Sequence, residues 1–462
     1  MARANSKKAV GGISSCIRIQ KWSSYAYAVA MGEKPPAMDI IVIDPKRRKF
    51  MKLFSRHLLA GAMLVASSSL AFAGCGIEKG SVKVLSNDFP ALRSVIGTAE
   101  KCAGGNVTVS KNQTKEHESL QVAALKANPA QYTSAVIANS SILPLLADGL
   151  IRPLDSYVEK YGKDLNKTQL ITINGKVMAV AMMANAQHLF YRDDILKKAG
   201  IQPPKTYEEM LAAAKIIKEK GLMANPLGGT YKAGWNLAEE FVNMYLGYGG
   251  AFFKDGSAEA SINNKKGVDS LNMLKSMTAY MNPDYLTFDS NALQAEFQAG
   301  KVAMAVFWGS RAAAVKDTKG TTQEIADNIK FAAAPTVGGG TIPATTLWWD
   351  GFTVAKNISD EDAEATFRAM LYGSSTEMAN ANPNDAVWLI KGYTPGAMAG
   401  GTLASAQAGA KPYPMAPSMD LMHTALGGEV AAFLQGKKSA EQALADAEAA
   451  YTASAKEKGF LK

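Results

Sequence analysis

Short apolar strands alternate with amphipathic helices from about residue 82 to the end of this 462-residue chain, and that alternation limits the fold most tightly. Residues 82–85 (VKVL) read as a strand, and the loop at 86–90 opens a helix running to about residue 101. NVTVS at 106–110 alternates with the period of two expected of a half-buried strand. The segment 116–128 is helical, with Leu120, Ala124 and Leu125 on one face. Residues 134–138 are a buried strand ending in Asn139-Ser140-Ser141, a helix-start signal. Residues 177–184 form an apolar run, followed by a strand at 185–191. Thr206, with Glu209 three residues on, has the pattern of a capping box. Helices are also expected at 241–248, 267–281, 360–372 and 440–456, and strands near 297–307 and 331–335. Such alternation predicts an α/β fold with mostly parallel sheets.

Fifty residues in, the chain reads MKLFSRHLLAGAMLVASSSLAFAGCG. Lys52, Arg56 and His57 make a basic head, residues 58–72 an apolar core, and Ala71-Phe72-Ala73 an A-x-A end. This is the pattern of a secretory signal peptide at 51–73. Such a leader acts at an N-terminus, so residues 1–50 read as an over-long start, with an extended basic head as the alternative. The apolar core falls short of the roughly 20 residues a membrane span needs.

Of 50 Lys+Arg and 41 Asp+Glu, 12 and 3 fall in residues 1–73, which leaves 38 of each beyond. The excess of +9 therefore lies in the leader and the stretch before it. A basic pI is no argument for nucleic-acid binding here. Cys75 and Cys102 are the two cysteines past the leader and read as one disulfide. Phe72-Ala73-Gly74-Cys75 also resembles a lipobox, so Cys75 as a lipidated N-terminus stays open. About 389 residues follow residue 73, too many for one core, and two domains are expected.

A search for chemistry finds no G-x-S-x-G elbow, no H-E-x-x-H helix and no phosphate-binding P-loop. His117, His188 and His423 are scattered, without acidic or cysteine partners at metal-ligand spacing. Asp88, Asp155, Asp350 and Asp385 lie near strand ends or aromatics but form no paired-acid motif. Neither a catalytic set, a metal site nor a cofactor is expected. Aromatic placement stands out instead. Trp308 follows an apolar strand and precedes Gly309-Ser310-Arg311, Trp348-Trp349-Asp350 precedes another strand, Trp235 lies in a loop, and Trp388 and Tyr393 flank Lys391-Gly392. An indole beside polar groups can stack on the apolar face of a sugar while its neighbours bind hydroxyls. Ordinary core packing is the alternative for each.

Three segments carry a resemblance to a known family. YTSAVIANSSILPLLADGLIRPLDSY covers 132–157, NGKVMAVAMMANAQHLFYRDDILKKAGIQPPKTYEE lies within 174–220, and FQAGKVAMAVFWGSR covers 297–311. In that order they are similar to the extracellular solute-binding proteins of ATP-binding-cassette importers, in the carbohydrate-binding, maltose-binding-protein-like group. The resemblance implies a two-lobe periplasmic binding protein fold (type II-like), with hinge crossings near 184–189, 331–335 and 373–382 and a ligand cleft between the lobes. The expected first lobe is 76–184 with 336–378, the second 188–334 with 379–462. The implied ligand contacts are Asn87, Asp88, Asn139, Ser140, Asn185 and Gln187, with Trp235, Trp308 and Arg311 from the second lobe and Trp348, Trp349 and Asp350 from the returning segment. Tyr393 is added on its aromatic neighbourhood. Amides at 139 and 185 suit a neutral sugar or polyol, delivered to the membrane subunits of an importer by a monomeric periplasmic protein. A polyamine or organic-anion binder, or an exported carbohydrate-active enzyme, stays open.

Overall fold

The computed structural model describes residues 75–462. The expected leader at 51–73 and the stretch at 1–50 lie outside the described residues. The strands are β1 (Lys79–Ser86), β2 (Asn106–Gln113), β3 (Ser134–Ala138), β4 (Leu170–Ile173), β5 (Lys176–Arg192), β6 (Leu227–Gly228), β7 (Met304–Trp308), β8 (Ile329–Ala332), β9 (Thr346–Phe352), β10 (Val387–Trp388) and β11 (Lys411–Pro412). Their order is β2-β1-β3-β9-β5-β7-β6, with β4, β8 and β10 also on β5 and β11 on β9.

The sheet is mixed rather than mostly parallel. β1 runs parallel to β2 and β3, but β9 is antiparallel to β3 and β5, and β5 is antiparallel to β7 and β8. The chain returns through β5 and β9 in opposite directions, which forces the antiparallel centre. β5 is one 17-residue strand where the sequence suggested an apolar run and a separate strand. Its residues as far as Ala186 pair with β9, opposite Leu347. From Gln187, opposite Trp308, they pair with β7. The pairing of β5 thus passes from β9 to β7 at 186–187.

Two cores lie on either side of that point. The first is built around Val82, Leu92, Ile96, Phe352 and Phe367, with Ile137, Leu145, Ala179 and Ala181 packed as a separate cluster. The second surrounds Phe190, Phe241, Phe297, Phe307, Met422 and Tyr451. Val337 and Ala344 still belong to the second core. Met378, Ala379, Ala386, Trp388 and Ile390 belong to the first. The boundary expected at 378/379, and the crossing expected at 373–382, therefore fall inside the first lobe. Trp388 is the reason: its backbone pairs with Met183 of β5 and its ring is buried. The helix Gly400–Gln407 next lies against β5 and β8, so the chain passes over between 391 and 399.

Local chemistry sets the element ends. Glu209 N donates to Thr206 Oγ1 at 3.0 Å, capping the helix Tyr207–Glu219 as expected. The Glu209 carboxylate accepts from Lys205 N at 2.7 Å instead of closing the box on Thr206. Cys75 and Cys102 form the disulfide, which occupies the sulfur that the lipobox reading would give to a lipid. The bond ties the start of the described chain to the end of the first helical segment across 27 residues. A loop of that length contributes about 3 kcal/mol by restricting the unfolded chain. The Cys75→Ser/Cys102→Ser protein is therefore expected to unfold at lower urea, and equal midpoints for the two proteins would count against a structural role. Among the described residues, no helix is long and apolar enough to cross a membrane.

Candidate functional site

The register around the 186–187 crossing brings distant residues together. Asn185 and Gln187 share one face of β5, because side chains two apart point the same way. Trp348 of β9 lies opposite Asn185, and Trp308 of β7 lies opposite Gln187. The two indoles meet edge to face, with centroids 5.7 Å apart at 82°. Trp235, the first residue of the helix Trp235–Gly247, stacks against Trp308 at 6.4 Å and meets Trp348 at 5.6 Å. Tyr413 lies 4.3 Å from Trp348, and His423 stacks on Trp235 at 4.8 Å. Trp308 and Trp348 are 8% and 5% exposed, whereas Trp235 is 37% exposed.

Trp235 is held in place by two glycines. Gly234 has φ +98, a conformation that side chains resist. The helix Met419–Leu434 comes so close that a Cβ on Gly427 would meet the backbone of Gly234 at 2.8 Å. One turn earlier on that helix, His423 Nε2 lies 2.9 Å from the Trp235 carbonyl, and its Nδ1 lies 2.9 Å from the Tyr413 hydroxyl. Burial holds His423 down at about 4, so the ring is neutral at neutral pH.

Beneath the indoles lies a bed of buried acids and amides. Trp348 Nε1 donates to Thr346 Oγ1 at 2.7 Å and to Glu239 Oε1 at 3.2 Å, and Thr346 Oγ1 lies 2.6 Å from the same carboxyl oxygen. Glu239 Oε2 has no hydrogen-bond partner among the described residues. Burial pushes the Glu239 carboxyl up to about 8, against the opposing hydrogen bond from Thr346. The neighbouring Glu240 accepts from Thr230 and from Gln187 Nε2, the latter at 3.2 Å, and burial raises it to about 7. Asn185 Nδ2 donates to Ser310 Oγ at 3.2 Å, and Ser310 N donates back to Asn185 Oδ1 at 3.1 Å. The two β5 amides therefore brace the wall on each side of the crossing.

The first lobe supplies the facing surface. Asn139 Nδ2 donates to the Leu347 carbonyl at 3.2 Å, while its Oδ1 is buried without a partner. Ser140 Oγ donates to Glu118 Oε1 at 3.2 Å. Burial lifts both Glu118 and Asp350 to about 7, and Glu118 adds to the rise at Asp350. The charge of Asp420, from the second lobe, adds to the rise at Glu118. Farther along, Arg93 Nε donates to Asp88 at 2.6 Å, and the Lys115 ammonium donates to Asn87 Oδ1 at 3.2 Å and to the Asp88 carbonyl. Arg311, 7% exposed, approaches from the second lobe and reaches Gln294 Oε1 at 3.3 Å.

Asn87, Asp88, Asn139, Ser140, Asn185, Gln187, Trp235, Trp308, Arg311, Trp348 and Asp350 thus gather around the crossing and the strand ends beside it. Tyr393 does not. Its hydroxyl donates to the carbonyls of Pro383 and Ala386 at 3.0 and 2.9 Å, and its ring packs on the first core. Trp349, on the opposite face of β9 from Trp348, packs on the cluster containing Ile171 and Ala179. His188 is buried at 4.6 Å from Phe190, between Gly309 and Gly401, and is structural. Sequence reasoning missed Lys115, Glu118, Glu239, Tyr413, Asp420 and the role of His423. The run Lys115-Glu116-His117-Glu118 directly after β2 was the available signal. Among the described residues, no group of three His, Cys, Asp or Glu side chains is placed to hold a metal ion.

Two lobes sharing strands, with polar and aromatic groups converging at the crossing, define a two-lobe α/β protein with a cleft at the crossing. Residues 85–373 match the profile of the bacterial extracellular solute-binding protein family, more than half of the chain, and the chain belongs to that family. It is 30% identical over 187 residues to a probable ABC transporter-binding protein of Deinococcus radiodurans, covering 38% of this chain and 43% of that one. It is 27% identical over 201 residues to the sn-glycerol-3-phosphate-binding periplasmic protein of Brucella abortus, covering 39% and 44%. The matched region spans less than half the length of these curated relatives. Among solved structures, maltose-bound MalE3 of T. maritima superposes with a TM-score of 0.72 at 17% identity, covering 80% of this chain and 99% of that one. A solute-binding protein from Agrobacterium vitis with bound D-mannitol gives 0.70 at 19% identity, covering 82% and 99%. At these identities the likeness establishes the fold.

Proposed function

We propose that the protein is the periplasmic binding subunit of an ABC-type importer and takes a small sugar or polyol in the cleft at the 186–187 crossing. The observation that carries this reading is the convergence of Trp235, Trp308 and Trp348 from three remote segments, with one indole left substantially open. An exposed aromatic face beside amides and carboxyls matches a sugar, whose C–H face stacks while its hydroxyls donate to oxygens. β5 passes unbroken through both lobes, so ligand contacts to both sides favour the closed arrangement, the form a transporter can read. The resemblance to importer-linked proteins supports the membrane partner, and the leader pattern at 51–73 supports export.

Tryptophan fluorescence tests the reading, because the indoles of the wall report directly on the cleft. Titration with maltose, ribitol, D-mannitol and chitin oligosaccharides is expected to shift the emission for at least one of them. A shift with an amino acid or polyamine and none with any carbohydrate would overturn it.

A further inference from the structure

Deepening the reading above, and resting on it, the two lobes leave one pair of cations without counter-charges. Arg311 is almost wholly buried, yet forms no ion pair among the described residues and bonds only Gln294. Lys115, in the loop after β2, likewise bonds only neutral oxygens, Asn87 Oδ1 and the Asp88 carbonyl. The nearby acids are already engaged. Asp88 is held by Arg93 at 2.6 Å. Asp289 caps the helix Ser290–Gln298, accepting from Asn291 N and Ala292 N at 3.0 and 3.1 Å, and pairs with Lys232 at 3.5 Å. Burial lowers Lys115 to about 8, and the charge of Arg311 lowers it further. Burial likewise lowers Arg311 to about 10, with Arg93 adding to it. The turn Gly309–Arg311 packs against the helix Pro90–Ala99, just before which Lys115 holds Asn87 and Asp88, so the buried guanidinium of one lobe and the surface ammonium of the other border the same end of the cleft.

A buried cation without a counter-charge is costly, and a ligand that supplies one recovers that cost. We infer that Lys115 and Arg311, one from each lobe, form a subsite for an anionic group, a phosphate or carboxylate, carried by the sugar or polyol. A planar guanidinium presents two parallel donors to such a group, and a flexible ammonium presents a third from the other side. Arg311 stands three residues after Trp308, so the acid group would lie beside the stacked ring. The carboxyls of Glu118 and Asp350, in the same cleft, are left to accept hydroxyl protons. An anion held this way bridges the lobes and draws the cleft shut.

Calorimetry with matched pairs tests it: D-mannitol against mannitol 1-phosphate and mannonate, ribitol against ribitol 5-phosphate, glycerol against glycerol 3-phosphate, and inorganic phosphate alone. At least one acidic member is expected to bind tenfold or more tighter than its neutral parent. Arg311→Met and Lys115→Met are each expected to shrink that ratio about tenfold. Lys115 is exposed, so its variant decides the matter if the buried Arg311 variant fails to fold. The phosphate and carboxylate arms tell the two anion types apart. Neutral members that bind as tightly as their acidic partners overturn the subsite and leave the sugar reading intact. Binding of inorganic phosphate alone, lost in the variants, keeps the subsite and overturns the sugar reading. If no member binds, both fall.

Discussion

Trp348→Ala is expected to lower the unfolding free energy by about 3–5 kcal/mol. The indole is 5% exposed and touches Trp235, Trp308 and Tyr413. Its removal opens a cavity where β9 meets the second core, and the surroundings can refill it only in part. The loss also takes away the Nε1 donor that Glu239 and Thr346 share. Ligand affinity is expected to fall with it, because Trp235 and Trp308 lose the ring that sets their angle. Trp235→Ala is the contrasting case. That ring is 37% exposed, so its loss is expected to cost little stability but about 1–3 kcal/mol of sugar affinity. Urea unfolding and fluorescence titration of both variants check this. A Trp348→Ala protein that unfolds at the wild-type midpoint would sink the account of the wall.

The second large effect is a pH dependence carried by Glu239. Burial raises its carboxyl from 4.5 in the unfolded chain to about 8 in the folded protein. Between those values the folded state holds a proton that the unfolded state has released. Its contribution to stability is therefore full below about pH 4.5 and is lost as the pH rises through about 8. The span corresponds to on the order of 5 kcal/mol at most. Glu239→Gln keeps the shape and cannot ionise, so it is expected to gain on the wild type steadily from pH 5 to pH 9. Glu118 and Asp350 also titrate high, but equally in both proteins, whereas Glu240 is coupled to Glu239, so the difference reads Glu239 together with its effect on that neighbour. Urea midpoints at pH 5, 7 and 9 that run parallel for the two proteins would exclude the effect.

Elements whose pattern reflects one buried face were legible in the sequence. The alternating strand at 106–110, the helices at 360–372 and 440–456 and the Thr206 cap all stand close to where periodicity puts them. β5 was read as two pieces because residues 177–183 are buried on both faces, and Asn185 and Gln187 then interrupt the apolar run. Those amides look like a boundary and are in fact where one strand changes pairing partners. The helix Met419–Leu434 was missed because Gly427-Gly428 argues against a helix when no partner is in view. Gly427 is there for Gly234, a contact that no local pattern encodes. The tryptophans were visible as candidates one at a time, but only the pairing register of β5 with β7 and β9 shows which of them meet. Trp349 and Tyr393 share the composition of the site without its geometry. Lys115 and Glu118 look like solvated charges at a helix start, and only the opposing lobe gives them another meaning.

Strand sharing also governs the order in which the molecule can be completed. The first lobe needs β9 and β10, yet residues 187–345 must be synthesised before β9 exists. The second lobe waits longer still, for the helices Met419–Leu434 and Ala440–Glu457 that close its core. Domains usually fold one after another as the chain emerges. Here neither lobe can do so: the first core lacks members until Ile390 is in place, and the second until Tyr451 and Ala455 are. A growing chain of this design cannot close either core early, so its commitment to the folded state comes late in its own synthesis.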